Sequence, residues 1–401
     1  MRPSDPPTIE QVEARVLVIP TDRHESDGTF AWDDTTMVLA HVHAGSSVGI
    51  GWTFAAASAA ELVAGPLANA VRGIDAFATS RAWMAMNRAV RNIGRPGLAW
   101  EAISAVDIAL WDLKAKLVGL PLATLLGPAR RSCAIYGSGG FTSYDDRTLG
   151  EQLGGWADRG FVAVKMKVGR DVRRDRERVR IARETIGRDV ALFVDANGAW
   201  SRKEALAQAY AFARFDVTWL EEPVSSEDLE GLRLLRDRVP PGMDVTAGEY
   251  GYVLDDFRRM LAADCLDVVQ ADVTRCGGIT GILAVSALCE AYGMPMSTHC
   301  APHIHAHAGC AIRPLRHLEY FHDHARIERL VLDGALEPRG GELAPDLSRP
   351  GLGVEVRADA ARFDRTPVAV GTGELRPGPS FPRPPPRPFG RSGSRATSRR
   401  R

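Results

Sequence analysis

The 401 residues, 45% apolar and 25% charged with 39 Gly and 25 Pro, are ordinary for a folded protein and can bury a large core plus a smaller partner domain. The formal net charge of zero is uneven: from Thr372 onward eight Arg face one Glu, leaving +7 there and −7 on residues 1–371, so the foldable part offers no basic surface for nucleic acid. No stretch reaches the roughly 18 apolar residues of a membrane span, Met1-Arg-Pro-Ser-Asp-Pro-Pro has no apolar signal core, and six Cys form no C-x-x-C pair, which together predict a cytoplasmic protein with free thiols and no membrane partner.

Residues 8 to about 54 read as a small antiparallel sheet, with strands at Ile9–Ile19, Thr36–His43 and Ser47–Phe54 and a tight turn at 44–46. The polar segment 21–32 between the first two is either a surface loop or a lid over a pocket. From Ser58 to Leu126 the pattern is helical. It opens on the capping-box spacing Ser58-Ala-Ala-Glu61 and includes a stripe of Ile103, Val106, Ala109 or Leu110, and Leu113, before Gly119-Leu-Pro121 closes it.

A regular beat begins at Cys133-Ala-Ile-Tyr136. Short apolar runs end in Lys165-Met-Lys167, Asp195, Glu221, Glu249, Asp272, His299 and Glu319. Successive steps are 28 (195−167), 26 (221−195), 28 (249−221), 23 (272−249), 27 (299−272) and 20 (319−299) residues. That is the length of a strand, a loop and a helix, so a βα barrel would gather these residues on one rim. Ionisable residues are costly inside strands, and their shared position at strand ends argues for one active centre. The predicted fold is a (β/α)7β modified TIM barrel over about 133–335. An α+β cap comes from 1–132 and a returning segment at about 336–370. A Pro/Arg-rich stretch, 371–401, lacks the apolar content to fold and reads as disordered.

Asp195, Glu221 and Glu249, without Cys or paired His, suit Mg²⁺, or Mn²⁺, better than zinc. Strand alternation assigns Glu221 rather than Glu222 to the ion, leaving Glu222 a supporting role. Lys165 and Lys167 share a strand face, so each disfavours the other's charge and one becomes a usable base. Asp272, one βα unit before His299, can orient its imidazole. The cluster His299, His303, His305 and His307 also admits a transition-metal reading, although its spacing is not H-E-x-x-H.

These runs together resemble a known family. Val164-Lys-Met-Lys-Val-Gly169, Val194-Asp-Ala-Asn197, Trp219-Leu-Glu-Glu-Pro223, Ala247-Gly-Glu249, Asp272-Val-Thr-Arg-Cys-Gly-Gly278, Ser297-Thr-His299 and Ala105-Val-Asp-Ile-Ala-Leu-Trp-Asp112 are similar to the enolase superfamily, mandelate racemase subgroup, over about residues 10–365. The resemblance implies magnesium at Asp195, Glu221 and Glu249, and one acid/base at Lys167 with its pKa lowered by Lys165. It implies a second acid/base at the His299–Asp272 dyad and a hydrogen bond from Glu319 to the substrate carboxylate or the enediolate. Asp272, where the muconate-lactonising branch would carry a lysine, points away from that branch. The implied reaction is removal of the α-proton of a carboxylate, with a Lys or His base and magnesium.

An acid-sugar dehydratase is favoured because polar candidates near the pocket outnumber apolar ones: His24, Glu25, Asp27, Tyr136, Ser138, Tyr144, Asn197 and His303, with Trp32 also facing the substrate. Phe30, Trp32 and Phe54 keep open a racemase or epimerase of a 2-hydroxy acid. A non-catalytic scaffold barrel is the third reading, opposed by the full set of ligands and bases. A homo-oligomer is expected by analogy alone.

Overall fold

The computed structural model describes residues 6–366, so the segment expected to be disordered, 371–401, lies outside the described residues. Three antiparallel strands, β1 (Gln11–Ser26), β2 (Ala31–Ala44) and β3 (Ser47–Phe54), open the fold in that spatial order. Segment 21–32, expected as either a surface loop or a lid, is largely the outer half of the β1/β2 hairpin. After a register shift between Pro20 and Glu25, Glu25 pairs with Trp32 and Ser26 with Ala31. The Asp27 carboxylate then accepts the N–H groups of Thr29 and Phe30 to close the turn. Backbone pairing needs no apolar side chain where a hairpin projects beyond its core, so the polar composition concealed the strands.

The capping box at Ser58 does not form: Ser58 is already helical (φ −63°, ψ −14°) and its side chain caps nothing. Pro66, lacking an N–H, is accommodated in a wide turn at Val63–Leu67. In helix Leu98–Leu117 the stripe of Ile103, Val106, Ala109, Leu110 and Leu113 packs in the cap core, as the periodicity predicts. Ile108 and Ala115 belong to the larger core that continues into the barrel, so the helix is sandwiched rather than one-sided.

Eight parallel strands follow: β4 (Cys133–Gly139), β5 (Ala163–Lys167), β6 (Ala191–Asp195), β7 (Val217–Glu221), β8 (Asp244–Ala247), β9 (Val268–Ala271), β10 (Met296–Thr298) and β11 (Leu315–Phe321). Pairing of β11 with β4 closes the barrel. Their outward residues, such as Leu192, Val194 and Leu220, pack under the surrounding helices, which is why the strands read as continuous apolar runs. After helix His322–Val331 the chain pairs Glu342–Leu343 with Cys133 and Ala134, and Leu332–Asp333 with Glu355–Val356. It then returns to the cap sheet, where Asp364 bridges Leu17 and accepts from Arg15 at 3.0 Å.

Candidate active site

Inside the barrel, residues two apart on one strand share a face. Tyr136, Phe193, Trp219 and His317 meet in one aromatic layer, with ring centroids 5.4 Å apart for Tyr136–Phe193 and 5.0 Å for Phe193–Trp219. Two residues further along the same strands come Ser138, Asp195, Glu221 and Glu319. The barrel is therefore plugged by rings, and its polar groups stand on that plug. The register sets Lys167 beside Asp195 and Asp195 beside Glu221.

Asp195, Glu221 and Glu249 each present a carboxylate oxygen within 4.8 Å of the other two, and all three are buried. Asp195 Oδ1 accepts the Asn197 N–H at 2.9 Å, and Trp219 Nε1 donates to Glu221 Oε2 at 2.9 Å, which fixes both groups. Burial and the Asp195 charge push Glu221 up to about 8, despite Lys165 beside it. Acids crowded this closely, with oxygen donors only, fit a hard divalent cation, whose charge would relieve their repulsion. Glu222, which alternation would turn away, is not one of these three but is buried and feels the charges of all of them. Its φ of 38° breaks the alternation, and burial followed by the Glu249 charge holds its carboxyl far above the usual range.

Lys165 Nζ donates to Glu221 Oε1 at 2.6 Å and lies 2.7 Å from Glu319 Oε1; Lys167 Nζ donates to Asp195 Oδ2 at 2.5 Å. The expected lowering of Lys167 does not result. Burial and Lys165 both act in that direction, but the charges of Asp195, Glu249 and Glu221 together outweigh them and Lys167 is raised. A neutral Lys167 therefore requires that the Asp195 charge be taken up by another cation.

His299 Nδ1 lies 2.8 Å from Asp272 Oδ2, whose other oxygen accepts the Thr274 N–H and hydroxyl at 2.7 Å each. Burial disfavours the imidazolium, yet Glu249, 3.2 Å from Nε2, and Asp272 raise His299 overall. Glu319 differs from its expected role as a donor. Burial opposes its charge, but Lys165 holds it ionised, and Oε2 accepts the Cys300 N–H at 2.7 Å. A carboxylate in that state accepts hydrogen bonds, and the cationic donor beside it is Lys165.

Lys167, Glu249 and His299, only 3–6% exposed, open into one cavity of about 520 Å³, whose wall includes Asn197, Trp32 and Phe54. A neighbouring cleft of about 650 Å³ shares only Tyr250 with it and holds none of these acid/base groups. The β1/β2 hairpin closes over the mouth of the barrel: Thr29 Oγ1 donates to the Asn197 carbonyl at 3.4 Å, and Gly28 packs on the rim. A Cβ at Gly28 would lie 2.4 Å from the Ala196 carbonyl oxygen, so only glycine permits this seat.

Of the other substrate-facing candidates, Trp32 and Asn197 line the cavity, and Ser138 is buried beside Lys165 in the register with a hydroxyl that has no partner among the described residues. Tyr136 belongs to the aromatic floor instead. His24 points away, 57% exposed and 2.8 Å from Asp33. His303 is buried, with Nε2 on the Leu352 carbonyl and Nδ1 accepting the Leu336 N–H, while His305 holds the Cys300 carbonyl and the Val273 N–H. Those backbone bonds set aside the four-histidine metal reading. The sequence reading missed Cys300, with Sγ 3.3 Å from His299 Nε2, and His324, which stacks on Phe54 with centroids 3.5 Å apart. Adjacency to His299 was the one available signal for Cys300.

Comparison with known proteins agrees with this geometry. Residues 148–360 match the enolase C-terminal domain-like family and residues 24–127 the mandelate racemase/muconate lactonizing enzyme N-terminal domain. The chain is 33% identical to a 3,6-anhydro-α-L-galactonate cycloisomerase of Streptomyces coelicolor, over 90% of this chain and 100% of that one. It is 32% identical to an L-talarate/galactarate dehydratase of Salmonella typhimurium, over 74% and 72%. A crystal structure of that dehydratase with Mg and L-lyxarohydroxamate superposes with a TM-score of 0.83 at 26% identity, over 91% and 95%. A mandelate racemase/muconate lactonizing enzyme-like protein from Rubrobacter xylanophilus superposes with a TM-score of 0.88 at 54% identity, over 89% and 100%. The chain belongs to the mandelate racemase/muconate lactonizing enzyme family of the enolase superfamily.

Proposed function

We propose that this protein is a magnesium-dependent enzyme that removes the α-proton of a hydroxylated carboxylate, and that its reaction is dehydration of an acid sugar to a 2-keto-3-deoxy acid. The observation that carries this is a single cavity into which Lys167 and His299 both open, each paired with its own carboxylate, beside three clustered acids. Asp195, Glu221 and Glu249 would hold the ion, which supplies the positive charge that stabilises a substrate carboxylate as it gains electron density.

The chain's own residues do the rest. One of Lys167 and His299 takes the α-proton. Lys165, kept protonated by Glu221 and Glu319, offers a fixed positive charge to the developing enediolate. Asp272 holds Nδ1, leaving Nε2 of a protonated His299 to deliver a proton to a departing β-hydroxyl. The Ser138 hydroxyl and the Asn197 amide oxygen, both without partners among the described residues, are free to orient a polyhydroxylated acid.

Likeness to a dehydratase and a cycloisomerase acting on sugar acids supports the same substrate class. The apolar wall of Phe30, Trp32 and Phe54 favours a second reading, racemisation of a 2-hydroxy acid without a leaving group. Incubation with a panel of mono- and diacid sugars and detection of 2-keto product separates the two. Product from any member supports dehydration; none, with α-proton exchange on another hydroxy acid, rejects it.

A further inference from the structure

Outside this cavity, three side chains converge where the β1/β2 hairpin meets the end of β11. Asp22, Glu25 and His322 each offer a ligand atom within 4.8 Å of the others. Glu25 is fully buried. Its Oε2 accepts from Trp32 Nε1 at 2.9 Å, but Oε1 has no hydrogen-bond partner among the described residues. A buried carboxylate oxygen left unpaired is costly, which marks it as directed toward a ligand. His322 Nε2 lies 3.1 Å from Asp22 Oδ2, and both side chains remain partly exposed, at 23% and 42%, so an ion has a route in. Asp323 adds a third carboxyl group nearby. Its oxygens are taken by Thr35 and Arg326; Arg326 acts on both Glu25 and Asp22, and His322 acts on Asp22 as well.

We infer that Asp22, Glu25 and His322 form a second metal site, distinct from the three-carboxylate cluster, which takes a divalent transition-metal ion. Two carboxylates and an imidazole suit Mn²⁺ better than Mg²⁺ or Ca²⁺. An ion here would bridge β1 to the start of helix His322–Val331. Because Glu25 also holds the Trp32 indole, it would pin the hairpin and one wall of the cavity in the closed position.

The test is Mn²⁺ binding to the full chain after chelator treatment, counted by equilibrium dialysis and examined by pulsed paramagnetic resonance for imidazole-nitrogen coupling. Wild type should bind two Mn²⁺ per chain, one with nitrogen coupling. His322→Asn, a partly exposed change that spares the core, should lose one ion and the coupling, and Glu25→Gln should do the same. Asp195→Asn should lose the other ion and keep the coupling. A wild type that binds one ion, removed by Asp195→Asn, overturns the proposal; so does a His322→Asn variant that still binds two.

Discussion

Lys167 and His299 reach the cavity with opposite dispositions, one an ammonium against Asp195 and the other an imidazole steered by Asp272. Replacement of Lys167 by Ala or of His299 by Asn should each lower turnover by about 10²–10⁴-fold, the usual contribution of a positioned acid or base, with circular dichroism unchanged. Asp272→Asn removes one of the charges that raise His299, so its pKa should fall. The alkaline limb of activity that depends on the imidazolium should move to lower pH, and an unmoved limb would show that Asp272 does not tune His299. The identities of these residues were legible because ionisable side chains closed apolar runs at a repeating interval. Their charge states were not. The raised Lys167 and the ionised Glu319 depend on partners 28 and 154 positions away (195−167 and 319−165), which no local pattern discloses.

At the level of elements, Glu249 is aimed by Gly248, whose φ of 133° suits glycine and whose missing Cβ would sit 2.1 Å from the Gln270 carbonyl oxygen. Gly248→Ala should cost at least about 1–3 kcal/mol in backbone strain and weaken Mg²⁺ binding, measured by calorimetry beside a denaturation curve. The helix Gly278–Ala291 is capped from another element. Asp107, on the buried cap helix, accepts the Thr280 N–H at 2.9 Å and its hydroxyl at 2.7 Å, satisfying donors that a helix start leaves open.

Burial nevertheless pushes Asp107 up to about 7 from 3.8. Between those values the folded state holds a proton that the unfolded chain has lost. This group's contribution is therefore full below about 4 and declines with rising pH, by at most about 1.4 kcal/mol per unit, until about 7. Urea denaturation of wild type and Asp107→Asn across that window should show the wild type losing ground as pH rises; a constant difference would contradict the assignment. Neither feature was visible beforehand, since a cap supplied across 173 positions (280−107) has no sequence spacing. The barrel strands were, because burial on both faces writes them as unbroken apolar runs.

For the whole molecule, barrel and cap hairpin line one cavity, and the proposed chemistry requires a cation, two bases and an organic anion to meet there. The cap's share in the site was only half legible: its polar hairpin read equally as surface loop or lid until its pairing and its seat on the barrel rim were seen. The most direct measurement is exchange of the substrate α-proton in deuterated water, followed by nuclear magnetic resonance across a panel of hydroxy acids and acid sugars. With Mg²⁺ present the wild type should exchange or eliminate on at least one member. Chelation should abolish this and Mg²⁺ or Mn²⁺ restore it, while a Lys167→Ala/His299→Asn double variant stays silent. Exchange that survives metal removal, or that persists in the double variant, would contradict the account.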